Sequence, residues 1–166
     1  NNDCAISIPN LNDYRKSKKN LKLYSKVKKF IGAIFLADKI KFNQIGKFDE
    51  NFFFYWEDED FSKRIENLKK FRIYKCKNSS AKHFNGESTI VNNKSKFIRL
   101  SNFKFGEYLF QYKHKKLKKI KMIREPFLRF LLLLIYIIFL NKNKFYKNLY
   151  FLIGILKFYK FICFKN

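Results

Sequence analysis

Acidic side chains are scarce in this chain: thirteen Asp or Glu stand against thirty-seven Lys or Arg, a formal net charge of +24 over 166 residues. Such a surface attracts phosphates and anionic membranes, but the charge itself selects no fold. Cysteine is scarce too. Cys4, Cys76 and Cys163 are odd in number and widely spaced, which argues against a disulfide scaffold or a zinc site and reads as three reduced, small hydrophobes in a cytoplasm. Arginine supplies only six of the basic residues and lysine thirty-one. Lys, Phe, Asn and Ile can all be spelled by codons made of A and T alone, so the lysine excess is discounted as a sign of polyanion binding. No apolar run is long enough to span a bilayer comfortably: FLRFLLLLIYIIFL, residues 127–140, has fourteen positions, about 21 Å as a helix against a hydrocarbon core of about 30 Å. The opening NNDCAISIPN lacks an initiator Met and the charged-then-apolar order of a secretory signal, and it reads as the middle of something. No repeat period stands out.

The few acids are unevenly placed. Six of the thirteen (Asp49, Glu50 and Glu57 to Asp60) fall within twelve positions, whereas residues 67–166 hold only Glu87, Glu107 and Glu125 and carry a balance of +21. The first sixty-six residues balance at +3. At this length the chain is at most one ordinary domain, large enough to bury about 70% of its unfolded surface.

Hydrophobic spacing sets the expected elements. CAISIP (4–9) alternates as a short strand, and the Lys-rich passage from Asn10 to Lys29 reads as loop with at most a helical turn. FIGAIFLA (30–37) is a continuous apolar run with a glycine inside, which predicts a buried strand approached closely by something else. Asp38 is placed to cap a short helix that Gly46 ends. From Glu57 to Lys70, Phe61, Ile65 and Leu68 recur at helical spacing, with the four acids in the first turn. FRIYKC (71–76) alternates as another strand. Strand, helix, acidic loop, helix, strand is the order of an α/β domain. Helices are then expected around 90–114, 127–140 and 145–164, with Pro126 at a first helical position. Preceded by KHKKLKKIK (113–121), and with Lys147, Lys157 and Lys160 toward one side of the last segment, they suit helices lying in a membrane interface. The plainer alternative is packing on the α/β core.

Acids in a first helical turn are ordinary capping, each favoured by roughly 0.3 to 1 kcal/mol through the helix dipole. Four in a row repel one another, so the excess asks for a cation or a chemical task. Glu57 and Asp60 share a face of the helix, while Asp58 points about 100° away from Glu57. The aromatics of FFFYW, Tyr55 and Trp56 among them, wall a sugar pocket or fill the core. Arg64 is most simply the i,i+4 partner of Asp60.

IGAIFLADKIKFNQIGKFDENFFFYWEDEDFSKRI, followed by HFNGEST at 83–89, resembles the second half of the catalytic domain of family 2 glycosyltransferases, especially the bacterial rhamnosyltransferase-like members. The likeness is carried by Gly32, Ala33, Gly46, Phe48, Asp49, Glu50, Phe53, Glu57, Asp58, Asp60, Arg64, His83, Gly86 and Ser88, and it covers about residues 4–125. It implies a GT-A fold and inverting transfer of a sugar from a nucleotide-sugar donor to an acceptor hydroxyl. By that resemblance Asp58 is the general base, Glu57 and Asp60 orient it or hold acceptor hydroxyls, Tyr55, Trp56, Gly32 and Ala33 meet the acceptor, and His83 helps bind a divalent metal, Mg²⁺ or Mn²⁺.

The resemblance lacks one part: no nucleotide-binding N-terminal half with its Asp-x-Asp site precedes residue 4. The expectation is therefore a C-terminal portion, inactive alone or completed by a separate chain. Residues 1–90 would be the acceptor and base half of a GT-A-like mixed-sheet α/β domain, and 91–166 a basic amphipathic helical tail. Relatives of this kind build cell-surface polysaccharide such as O-antigen on saccharide or lipid-linked acceptors. That implies a cytoplasmic chain, peripheral on the inner face of the cell membrane and attracted to its anionic surface. The competing reading is a non-catalytic cationic protein of the membrane surface. A nucleic-acid binder is disfavoured by scarce Arg and long aliphatic runs, so no specific nucleic acid is expected.

Overall fold

The computed structural model describes residues 2–11, 23–83 and 92–165. The chain is a mixed α/β protein that divides into two compact units, one formed by Asn1–Asn51 with Glu57–Ser88, the other by Phe52–Trp56 with Thr89–Asn166.

The first unit is a four-stranded mixed sheet with two helices. β1 (Cys4–Leu11), β2 (Tyr24–Val27), β3 (Leu36–Ala37) and β4 (Arg72–Ala81) lie in the order β2-β4-β1-β3. The central pair, β1 and β4, is parallel, with Ile6 opposite Ile73 and Ser7 opposite Tyr74, and both edge strands pair antiparallel. Parallel neighbours need a crossover. Here it contains α1 (Lys39–Ile45) and α2 (Glu57–Leu68). The core is Ala5, Ile6, Phe30, Ile45, Phe61, Ile65, Phe71 and Ile73. Phe42, Phe48 and Phe61 close a ring cluster with centroids 4.7 to 5.3 Å apart, tilted and edge-on as ring quadrupoles prefer.

Both expected caps of α1 are present. Asp38 accepts the Lys41 N–H at 3.1 Å, and Gly46 ends the helix at φ 96°, where a side chain would be strained and would meet the Arg64 guanidinium.

Two expectations in this unit are corrected. The apolar run 30–37 is not a buried strand: only Phe30 is buried, Ile31 to Phe35 form a turn and its approach, and Leu36, in the two-residue edge strand β3, is 78% exposed. An edge strand this short has sheet on one side only, so hydrophobicity did not guarantee burial. The passage 10–29, read as loop, contains the end of β1 and all of β2; β2 borrows its order from the ladder with β4 rather than from its own polar sequence.

The second unit is helical. α3 (Asn93–Lys113) opens with a capping box in which Asn92 Oδ1 accepts the Ser95 N–H at 2.7 Å and Ser95 Oγ accepts the Asn92 N–H at 3.0 Å. α4 (Lys119–Ile138) and α5 (Lys142–Lys165) follow. Their core is Phe52, Tyr108, Leu109, Ile155 and Phe158. At Gly154, a Cβ would fall 2.4 Å from the Ser101 carbonyl oxygen, so α3 and α5 approach as only glycine allows. Pro126 sits inside α4 rather than opening it. Proline has no N–H for the carbonyl four residues back, and that carbonyl, of Met122, accepts the Tyr159 hydroxyl instead.

Charge is sequestered in this unit. Lys104, 6% exposed, donates to Glu107 at 2.6 Å and to Glu125 at 2.8 Å. The Tyr108 hydroxyl donates to Glu125, Lys121 to Glu107, and Arg129 to both Glu125 and Asn148. Burial works to raise the pKa of Glu107 and of Glu125. It is outweighed at Glu107 by the hydrogen bonds and charges of Lys104 and Lys121, and at Glu125 by Lys104, the Tyr108 hydroxyl and the Lys121 charge, so both carboxyls sit below the usual range. The same burial, next to Glu125, pushes the Tyr108 phenol upward.

Candidate functional site

A groove of about 490 Å³ opens on the first unit, lined by Ile8, Pro9, Leu11, Val27, Lys29, Phe30, Ile31, Asp58, Glu59 and Lys75. Its place follows from topology. α2 runs down from its acidic first turn, β4 runs back parallel to β1, and so the helix N-terminus returns to the carboxyl end of the two parallel strands. Open α/β sheets bind ligands at that end.

Asp58 is the best-fixed group there. One carboxylate oxygen accepts the Gly32 N–H at 2.8 Å and the other accepts the Glu59 N–H at 2.8 Å. The turn made by residues 31–34, unexpected from the sequence, is what brings Gly32 to the acid. A Cβ on Gly32 would stay 3.6 Å from Asp58, ordinary contact, so glycine is not sterically required. Ala33 follows in the same turn and is exposed.

The four acids have separate surroundings. Glu59 pairs with Lys29 at 2.7 Å on the groove wall, and that hydrogen bond and charge raise the Lys29 pKa. Glu57 is half-buried. Desolvation first, and the neighbouring Asp58 charge second, push its carboxyl above the usual range, and its Oε2 has no hydrogen-bond partner among the described residues. Asp60 does not line the groove. It is fully buried and accepts Arg64 Nε at 2.8 Å, and Arg64 in turn donates to the Ile45 and Lys47 carbonyls at 2.7 and 2.6 Å. These are the open carbonyls at the end of α1, so the Asp60–Arg64 pair ties the two helices together.

Tyr55 and Trp56 belong to the second unit. Both hold left-handed backbone, φ 69° and 74°, a conformation that costs about 1–3 kcal/mol per bulky residue and needs support. Trp56 finds it against Phe103 and Phe110, and Gly106 makes room, since a Cβ there would lie 2.8 Å from the indole. Its Nε1 is buried without a hydrogen-bond partner among the described residues. Tyr55 accepts Arg99 Nε at 2.9 Å and lines a cavity of about 680 Å³ with Lys96, Phe103, Tyr146, Lys147 and Tyr150.

His83 is half-buried two residues past β4 and does not line the groove. Gly86 and Ser88 lie outside the described residues. Among the described residues no group of three or more His, Cys, Asp or Glu converges as metal ligands would.

The structure therefore brings Asp58, Glu59 and Gly32 together and directs Asp60 elsewhere. Sequence reasoning passed over Lys29 and Lys75 as groove residues; both are in β2, β4 or the segment beside them, and lysines in a lysine-rich chain carry no signal of their own. Compared with known proteins, the chain matches no family model, no curated protein and no solved structure.

Proposed function

We propose that this chain carries the acceptor-activating part of an inverting glycosyltransferase, moving a sugar from a nucleotide-sugar donor to a hydroxyl of a saccharide or lipid-linked saccharide acceptor. The observation that supports this most is Asp58: a carboxylate anchored by two backbone N–H groups, at a helix start, facing a groove at the carboxyl end of parallel strands. Anchoring fixes its direction, so the acceptor hydroxyl can be held within hydrogen-bond reach while its proton is withdrawn. Glu57 adds a second carboxyl of higher proton affinity beside it. By the family resemblance His83 would help hold a divalent cation, Mg²⁺ or Mn²⁺, whose charge would offset that of the diphosphate. The reaction belongs at the inner face of the cell membrane, in the synthesis of a cell-surface polysaccharide, with the donor bound by this protein or by a companion chain.

The test is transfer from labelled uridine- and thymidine-diphosphate sugars to saccharide and lipid-linked acceptors, in an extract supplying any such companion. Asp58→Asn keeps the shape and one of the two backbone contacts, since its amide nitrogen cannot accept an N–H, but removes the base, and should lower the rate by roughly 10²- to 10⁴-fold. Undiminished transfer in that variant would end the assignment.

A further inference from the structure

α4 turns a broad apolar face outward, where a helix of a water-soluble bundle would be polar. Ile120, Ile123, Phe127, Phe130, Leu134 and Ile138 recur at three- and four-residue steps and so form one ridge; every one of them is exposed, Ile123 to 71% and Ile138 to 75%. The opposite face looks inward and is mixed: Met122 and Leu133 pack there, and Lys121, Glu125 and Arg129 reach into the ion-pair network with Lys104, Glu107 and Asn148. From Phe127 to Leu140 the only charged residue is Arg129, turned inward, leaving an apolar strip about 20 Å long. The helix is not long and apolar enough to cross a membrane.

The charges flanking the ridge identify what covers it. Residues 92–165 hold eighteen Lys or Arg and two acids, Glu107 and Glu125, and both acids are consumed inside the network. Exposed Lys118 and Lys119 stand at one end of the ridge and exposed Lys142 and Lys144 at the other. A second copy would bring the same cations face to face. An anionic lipid surface offers hydrocarbon to the ridge and opposite charge to its two ends at once.

We propose that α4 lies in the plane of an anionic bilayer with this ridge sunk among the acyl chains, while α5, whose Asn148, Ile155 and Phe158 are buried in the bundle, stays on the water side as a packing helix. The docking stands independently of sugar transfer.

The test is flotation of the full chain with vesicles of phosphatidylcholine alone or mixed with phosphatidylglycerol, at rising salt, without any sugar substrate. Wild type should float with the mixed vesicles and only weakly with phosphatidylcholine. In the triple variant Phe127→Gln, Phe130→Gln, Leu134→Gln, circular dichroism and thermal transition should be nearly unchanged, because these side chains are exposed and none belongs to the buried core. Vesicle affinity should fall by on the order of a hundredfold or more. Four results would overturn the proposal: wild type failing to bind, the variant binding as well as wild type, the variant unfolding, or a wild-type dimer that the variant converts to monomer.

Discussion

Replacing Asp60 with Asn separates support from chemistry among the four acids. Asp60 is fully buried and its carboxylate faces Arg64 Nε at 2.8 Å, while the rest of that guanidinium is spent on the Ile45 and Lys47 carbonyls. Asn keeps the volume but not the charge, leaving a guanidinium that is 22% exposed beside a neutral amide. Breaking one side of a buried pair costs about 3–5 kcal/mol, and the partial exposure of Arg64 puts the expectation near the lower value, about 3 kcal/mol. For a unit of this size that corresponds to a fall in melting temperature of roughly 12–24 °C. Urea denaturation followed by circular dichroism measures it directly. Asp60→Leu combined with Arg64→Met should recover only part of the loss, since an apolar pair needs no charge partner but the Ile45 and Lys47 carbonyls then lose their donor. If Asp60→Asn cost no more than an exposed pair, about 1 kcal/mol or less, the tie between α1 and α2 would not be what holds these helices. Asp58→Asn, which loses one of the two backbone contacts in Asp58's more exposed setting, should cost about 1 kcal/mol.

The pH dependence contributed by Glu57 should differ in sign from that of Glu107 and Glu125. Glu107 and Glu125 sit below the ordinary carboxylate range, so their stabilisation is complete above that range and is lost as pH falls through their lowered values; acid titration of helix content should show this, and Glu125→Gln should flatten it. Glu57 sits above the range, so its contribution is present at low pH and lost as pH rises through its raised value. Glu57→Gln should therefore be more stable than wild type at neutral pH and no more stable in acid, as paired melts would show. Gly154→Ala should destabilise the second unit by about 2 kcal/mol or more, because its Cβ would meet the Ser101 carbonyl at 2.4 Å. Gly32→Ala, with 3.6 Å available, should fold and melt like wild type.

Local signals in the sequence marked several elements well. Asp38 and Gly46 bracket α1 as expected, because a cap and a left-handed glycine act over one helical turn. The spacing of Phe61, Ile65 and Leu68 gave α2 within two residues, and its first turn holds all four acids. The pair of Asp60 with Arg64 was also legible, since i,i+4 neighbours meet on any helix. The groove was not. It depends on a turn at residues 31–34 where the apolar run predicted a strand, and on β2, whose four residues carry no strand pattern of their own.

What the sequence determined by itself, then, is the set of features that act within a few residues: the caps, the periodicities, the acidic helix start, the charge imbalance, and the lack of any apolar stretch long enough to span a bilayer. The tertiary structure alone decided which side of each element faces inward. Hydrophobicity placed residues 30–37 inside, yet Leu36 is exposed; for residues 127–140 it left a membrane interface and the core as alternatives, and the structure leaves Ile138 exposed. The reason is physical: burial is a property of what packs opposite a side chain, and on α4 Lys121, Glu125 and Arg129 share the inward side with Met122 and Leu133 because their polar partners lie across the bundle, up to twenty-one positions away in sequence.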